Sequence, residues 1–244
     1  MKILSAAEVR QADVYTIEHE PIASIDLMER AATAAYKWIE RHCDFKKRFL
    51  VFCGTGNNGG DGLVIARLLH RAGCKADAFA VRFSDRSSDD FKINEERLRK
   101  SGMVLHDIRQ EEDIPHIEDD AVVIDAMFGS GLSRPVQGIA AEVILHINAS
   151  GAEVLAVDIP SGLFCESNAD NDRSHIVQAR HTLTFQVPKL SFFFPENAPY
   201  VGDWHVIPIG LDETFITSLP SKYHYLTEEM VAGLLKKREK FDHK

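Results

Sequence analysis

Several strong signals for metal, redox and membrane chemistry are missing from this chain. Its four cysteines, Cys43, Cys53, Cys74 and Cys165, stand apart with no Cys-x-x-Cys pair, which excludes a zinc cage or dithiol motif and leaves reduced, mostly buried thiols as the expectation. No apolar run approaches the ~18 residues of a spanning helix. The amino terminus turns charged at Glu8, before a signal-peptide apolar segment has room to form. A reducing, cytoplasmic setting without a membrane partner is therefore expected. A basic surplus is missing too: 28 Lys and Arg face 37 Asp and Glu, a formal charge of −9, which argues against nucleic-acid or anionic-membrane partners. Any phosphate would have to be held by backbone N–H groups and a few local cations.

What is present is apolar length and glycine. With 244 residues and 45% hydrophobic content, one sizeable α/β core is expected. Phe49-Leu50-Val51-Phe52-Cys53 reads as a strand buried on both faces, and Val64, Ile65, Leu68, Leu69 and Ala72 recur at helical spacing. Between them lies Gly54-Thr55-Gly56-Asn57-Asn58-Gly59-Gly60-Asp61-Gly62. Such a loop leaves N–H groups unpaired at a helix start, where the dipole also favours negative charge. A Walker A loop is excluded because Gly60 is followed by Asp61 rather than Lys-Ser/Thr. Gly54, Gly56 and Gly59 nominally meet Gly-x-Gly-x-x-Gly, a weak pointer to a nicotinamide-dependent oxidoreductase. Asn57, Asn58 and Asp61 exceed it, since they suit a ligand with polar groups beyond a phosphate. The bland alternative is a tight turn that merely needs glycine.

Ser5 and Glu8 form a capping-box pattern that opens a helix from Ala6 to about His19. Leu27, Met28, Ala31, Ala35, Trp38 and Ile39 mark a second helix from about Ile25, with Glu29 and Arg30 read as a solvated face. Both helices are expected to pack on the sheet. Further strands are expected at 76–81, 103–105, 121–124, 153–157, 181–187 and 204–209, with helices at 89–101, 140–149 and, basic in character, 227–240. Residues 84–90 read as a polar loop, and His106 and His116 as surface residues. Apolar strands end at Cys53, Asp125 and Asp158, and each passes into a polar, glycine-containing loop. Ligands of open α/β sheets bind beyond the carboxyl ends of the strands, so one shared site is expected there. Asp125 could be held by backbone donors alone, or meet the Asn58 amide oxygen and the Ser161 hydroxyl around a cation. One carboxylate among neutral oxygens suits a monovalent ion better than Zn²⁺ or Ca²⁺. Lys189 either lies beside the same crevice or is a surface lysine.

Leu-Met-Glu-Arg-Ala at 27–31, residues 54–62, Asp-Ala-Met-Phe-Gly-Ser-Gly-Leu at 125–132, Asp-Ile-Pro-Ser-Gly-Leu at 158–163 and Thr-Phe-Gln-Val-Pro-Lys at 184–189 follow one another in this order. Together they resemble the YjeF N-terminal domain family, the NAD(P)H-hydrate epimerases, over about residues 1–211. The resemblance implies a Rossmann-like three-layer αβα sandwich with a mostly parallel central sheet, often as a homodimer. It implies interconversion of the R and S forms of NADHX and NADPHX, nicotinamide cofactors damaged by hydration, for repair by a companion dehydratase that accepts only the S form. Carried over by position, K⁺ ligands fall on Asn58, Asp125 and Ser161. Substrate contacts fall on Asn57, Asn58, Gly59, Gly60 and Asp61, on Gly129, Ser130, Gly131, Leu132, Ser133, Arg134 and Pro135, and on Asp158. Arg134 would face the diphosphate, Asp158 would be the general acid/base, and Lys189 would tune or assist it. Departures are Thr55 for proline, Ser130 for threonine, Leu190 for glycine, and a segment 164–168 that lacks Asp-x-x-Ser/Thr-Gly. A non-catalytic ligand-binding scaffold of the same fold is the alternative. The resemblance also divides the chain into an epimerase domain at 1–220 and a segment 221–244 leading toward a covalently linked ADP- or ATP-dependent dehydratase domain.

Overall fold

The structure, a computed structural model, describes residues 1–235. Its elements are β1 (Lys2–Ile3), α1 (Ala6–His19), α2 (Ser24–His42), β2 (Arg48–Cys53), α3 (Asn57–Arg71), β3 (Lys75–Val81), α4 (Asp89–Lys100), β4 (Leu105–Ile108), β5 (Val122–Ala126), α5 (Ile139–Ala149), β6 (Glu153–Val157), β7 (His181–Phe185), α6 (Ala198–Val201), β8 (Asp203–Ile207), α7 (Glu213–Ser218), β9 (Tyr223–His224) and α8 (Glu228–Leu234). The capping box opens α1 as expected: the Glu8 N–H donates to Ser5 Oγ, and the Ser5 N–H donates to Glu8 Oε2 at 2.7 Å. The expected terminal helix is present over Glu228–Leu234, and the rest of that expectation, 236–240, lies outside the described residues. No helix among the described residues is long and apolar enough to cross a membrane.

Strands β4-β3-β2-β5-β6-β7-β8 form a sheet in which every neighbouring pair is parallel. Alternation along β2 makes two cores. Phe49, Val51 and Cys53 pack with apolar residues of α2, α3 and α4, whereas Leu50 and Phe52 pack with Ala140, Val143, Ile144 and Ile147 of α5. The result is three layers with helices on both faces. From β2 the chain steps outward to β3 and β4, then returns to β5 on the other side of β2. That reversal opens a crevice beyond the carboxyl ends of β2 and β5, where this kind of sheet binds its ligand.

Three expectations need correction. The short strand placed at 103–105 is found at Leu105–Ile108 instead. It is an edge strand whose His106 and Asp107 face water, so it carries no apolar run to read. Helix α1 does not simply pack on the sheet, because Arg10 and Asp13 line the cleft at the sheet's carboxyl edge. Glu29 and Arg30 are not a merely solvated face either. Glu29 pairs with Arg67 at 2.6 Å and Arg97 at 3.5 Å, joining α2 to α3 and α4, while Arg30 pairs with Glu20 at 2.7 Å. Arg67 is 9% exposed, so removing its partner strands a nearly buried cation. Glu29→Ala should therefore lower stability by about 1–3 kcal/mol, read from the urea midpoint.

Candidate functional site

The glycines of the first loop serve packing as well as chemistry. The Gly54 N–H donates to the Ala126 carbonyl at 3.1 Å, tying β2 to β5 at the crevice. A Cβ on Gly59 would lie 1.8 Å from the Gly54 carbonyl oxygen, and one on Gly60 would lie 2.6 Å from Met28 Sδ. Gly59 and Gly60 thus pack beneath the loop, whereas Gly56 and Asn57 are exposed at the start of α3 and line the cleft.

Asn58, Asp125 and Ser161 come together below that surface, from three different strand ends. Asn58 Nδ2 donates to the carbonyls of Phe128 at 2.9 Å and Val157 at 3.2 Å, which leaves its buried Oδ1 without a donor. The Ser161 hydroxyl donates to Asp125 Oδ1 at 2.5 Å, its N–H donates to Asp125 Oδ2 at 2.8 Å, and it accepts the Phe128 N–H at 2.9 Å. Burial pushes the fully enclosed Asp125 carboxyl up to about 6, against the opposing bonds from Ser161 and the Met127 N–H. A buried amide oxygen without a donor is costly, and a cation among these oxygens would remove that cost. Among the described residues no cluster of three His, Cys, Asp or Glu side chains suited to a metal forms, so the donor set is one carboxylate with neutral oxygens.

Asp158 sits beyond β6 at φ +67°, a left-handed conformation that Asp tolerates better than most residues. Its Oδ1 pairs with Lys189 Nζ at 2.6 Å, and its Oδ2 accepts the Ser130 N–H at 3.3 Å. Lys189 is 1% exposed and also reaches the carbonyls of Phe185 and Val187 at 3.4 Å. The reading as a surface lysine is thereby overturned. An ammonium this deeply buried needs its carboxylate.

These groups border a cleft of about 1420 Å³. Asn57, Asn58, Asp61, residues 129–135 and Asp158 line it, while Asp125, Ser161 and Lys189 support it from outside the lining. Sequence reasoning missed Arg10 and Asp13 on α1, the loop residues Ser84, Arg86 and Ser87, and Gln186. Burial, and next the nearby Asp158 charge, push the Asp13 carboxyl up to about 6, with Lys189 and Arg10 opposing. The Asp61 carboxyl is raised well above its ordinary value by burial first and then by Asp158. Where the family pattern is absent, at 164–168, Asn168 closes the turn itself: its Oδ1 accepts the Phe164 N–H at 2.9 Å and its Nδ2 donates to the Phe164 carbonyl at 3.0 Å.

The sign of the Asp13 shift gives a pH dependence. Its folded value near 6 lies above the ordinary carboxylate value of about 3.9. The stability it contributes is full below that lower value and is lost as pH rises through about 6. Urea midpoints measured from pH 4.5 to pH 7.5 should fall less steeply for Asp13→Asn than for wild type.

A family profile described as "YjeF-related protein N-terminus" matches residues 24–191. A Limosilactobacillus fermentum protein named NAD(P)H-hydrate epimerase is 36% identical over 199 residues, covering 82% of this chain and 92% of its own. A Moorella thermoacetica protein named bifunctional NAD(P)H-hydrate repair enzyme Nnr is 34% identical over 252 residues, covering 100% of this chain and 47% of its own. The chain thus spans about half the length of that bifunctional relative. The crystal structure of yeast ynu0, YNL200c, superposes with a TM-score of 0.70 at 21% identity, covering 94% of this chain and 98% of the yeast chain, a likeness of fold.

Proposed function

The chain belongs to the family of YjeF-related protein N-termini, and from that premise we propose that it interconverts the R and S forms of hydrated NADH and hydrated NADPH. The observation that carries the reading is the Asp158–Lys189 pair at the same cleft edge as a glycine loop and helix start suited to a diphosphate. The carbon to be inverted bears a hydroxyl. Protonating that hydroxyl lets it leave as water, with the ring nitrogen lone pair taking up the positive charge. Water returns to the opposite face and loses a proton to a carboxylate. Asp158, held by Lys189, is the carboxylate at the reacting carbon. Asp13, which keeps its proton to about pH 6, is the second acid on the cleft wall. Two carboxyl groups in unlike environments can divide the acid and base roles. Arg134, exposed on the cleft wall, faces the diphosphate.

K⁺ is part of the proposal, with Asn58 Oδ1, Asp125 and Ser161 Oγ as its ligands. The orphaned amide oxygen beside a single carboxylate supports it. When bound, the ion supplies a fixed positive charge that ties together the ends of β2, β5 and β6. KCl should raise the thermal midpoint by a few degrees over choline chloride at equal ionic strength, since an ion that binds only the folded state stabilises it. Asp125→Asn should abolish the difference, and equal midpoints for wild type in both salts would remove K⁺ from the account. A homodimer, a cytoplasmic location, a linked dehydratase domain beyond a 1–220 epimerase domain, and 221–244 as the lead into it also belong to this reading, supported by the family resemblance. The test of the function is chromatographic. R and S forms should interconvert faster with the protein than without it, whereas binding without interconversion would favour the scaffold alternative.

A further inference from the structure

The β3–α4 loop lines one end of the cleft and carries an exposed arginine, Arg86. The inference rests on the proposed reading, which puts the reacting ring at Asp158, beyond β6, and the diphosphate at the start of α3, beyond β2. A ligand laid along the sheet edge in that order continues toward β3, the next strand outward. From β6 to β3 is three strand steps, about 15 Å at the usual strand spacing, a reach that suits an extended dinucleotide. The wall it meets there is the β3–α4 loop, from which Phe83, Ser84, Arg86, Ser87 and Ser88 all line the cleft.

Phe83 stacks on Phe128 with ring centroids 4.6 Å apart, an apolar shelf for a base. The Ser88 N–H donates to the Thr55 carbonyl at 2.9 Å, which fixes the loop against the glycine turn. Arg82, four residues before Arg86, is neutralised by Glu95 and Asp107, each at 2.8 Å. Arg86 is exposed, and no carboxylate among the described residues pairs with it. A pocket for a free ribose diol would present a carboxylate to accept its hydroxyls. Here Asp85 does not line the cleft, and Asp90, which does, already accepts the Ser24 hydroxyl at 2.6 Å. The Arg86 N–H donates to Ser84 Oγ at 3.1 Å, and an arginine that lines the cleft with two hydroxyl-bearing neighbours, Ser84 and Ser87, instead matches a phosphate monoester. We propose that Arg86, with Ser84 and Ser87, binds the ribose 2′-phosphate, so that the site prefers hydrated NADPH over hydrated NADH.

The test compares kcat/KM for NADPHX and NADHX in wild type, Arg86→Ala and Arg86→Lys. Wild type should favour NADPHX about tenfold or more, the range of a hydrogen-bonded charge pair. Arg86→Ala should bring the ratio near one, chiefly through KM for NADPHX. Arg86→Lys should keep part of the ratio, because it keeps the charge without the fork. A wild-type ratio near one, or a ratio that survives in Arg86→Ala, would overturn the inference and leave the epimerase reading standing. Should wild type turn over neither compound, the epimerase reading fails and calorimetry decides this one. Tighter binding of 2′,5′-ADP than of 5′-ADP, lost in Arg86→Ala, would uphold it, and equal affinities would overturn it.

Discussion

Asp158→Asn lowers the rate of R-to-S interconversion by about 10²–10⁴-fold, the usual worth of a positioned acid/base group, measured below a thermal midpoint that also falls because the buried Lys189 ammonium loses its counter-charge. Asparagine suits the test for two structural reasons. Position 158 holds φ +67°, and Asn enters the left-handed region about as readily as Asp. The amide oxygen can still accept a hydrogen bond from Lys189 Nζ, which sits 2.6 Å from Asp158 Oδ1. Alanine would remove that acceptor along with the charge, confounding a loss of chemistry more heavily with a loss of fold. Near wild-type turnover in Asp158→Asn would remove the residue from the acid/base role.

Gly59→Ala should lower stability by about 3 kcal/mol or more, through overpacking that backbone atoms cannot relieve by changing rotamer. In a chain of this size that is a fall of roughly 6–12 °C in Tm. The added methyl would meet the Gly54 carbonyl oxygen at 1.8 Å, its carbon at 2.6 Å and the Gly54 nitrogen at 3.0 Å. Relief requires opening the turn whose Gly54 N–H binds the Ala126 carbonyl, so ligand affinity should fall as well. Gly56→Ala is the control, since nothing lies within 4 Å of a Cβ there and its φ of −95° suits any residue. Calorimetric scans that place both variants at the wild-type Tm would contradict the packing argument.

The floor of the site was legible in the sequence because its residues stand where strands stop. Cys53, Asp125 and Asp158 close or directly follow apolar runs, and a parallel sheet delivers such positions to one edge. Asn58 and Ser161 were reachable because each follows such a strand end within a few residues. The walls contributed by α1 and by the β3–α4 loop were not legible. A capping box announces α1 but says nothing of where the helix docks, so Arg10 and Asp13 escaped notice. The loop at 84–90 has the composition of any solvated turn, and only its place beside the Thr55 backbone turns Arg86 toward the cleft. Composition left Lys189 between buried and exposed, since its burial depends on a carboxylate that lies 31 positions earlier in the chain. The pairing of β1 with β9 joins Lys2 to His224, a match between very short segments at opposite ends that no local pattern records.

The most direct measurement starts from pure R and, separately, pure S forms of NADPHX and follows both by chromatography in K⁺ buffer. The account predicts that a catalytic amount of the protein brings both samples, far faster than buffer alone, to one common R:S ratio, with no other product. Relaxation at the buffer rate from either side, or a mixture that depends on the starting form, would contradict it.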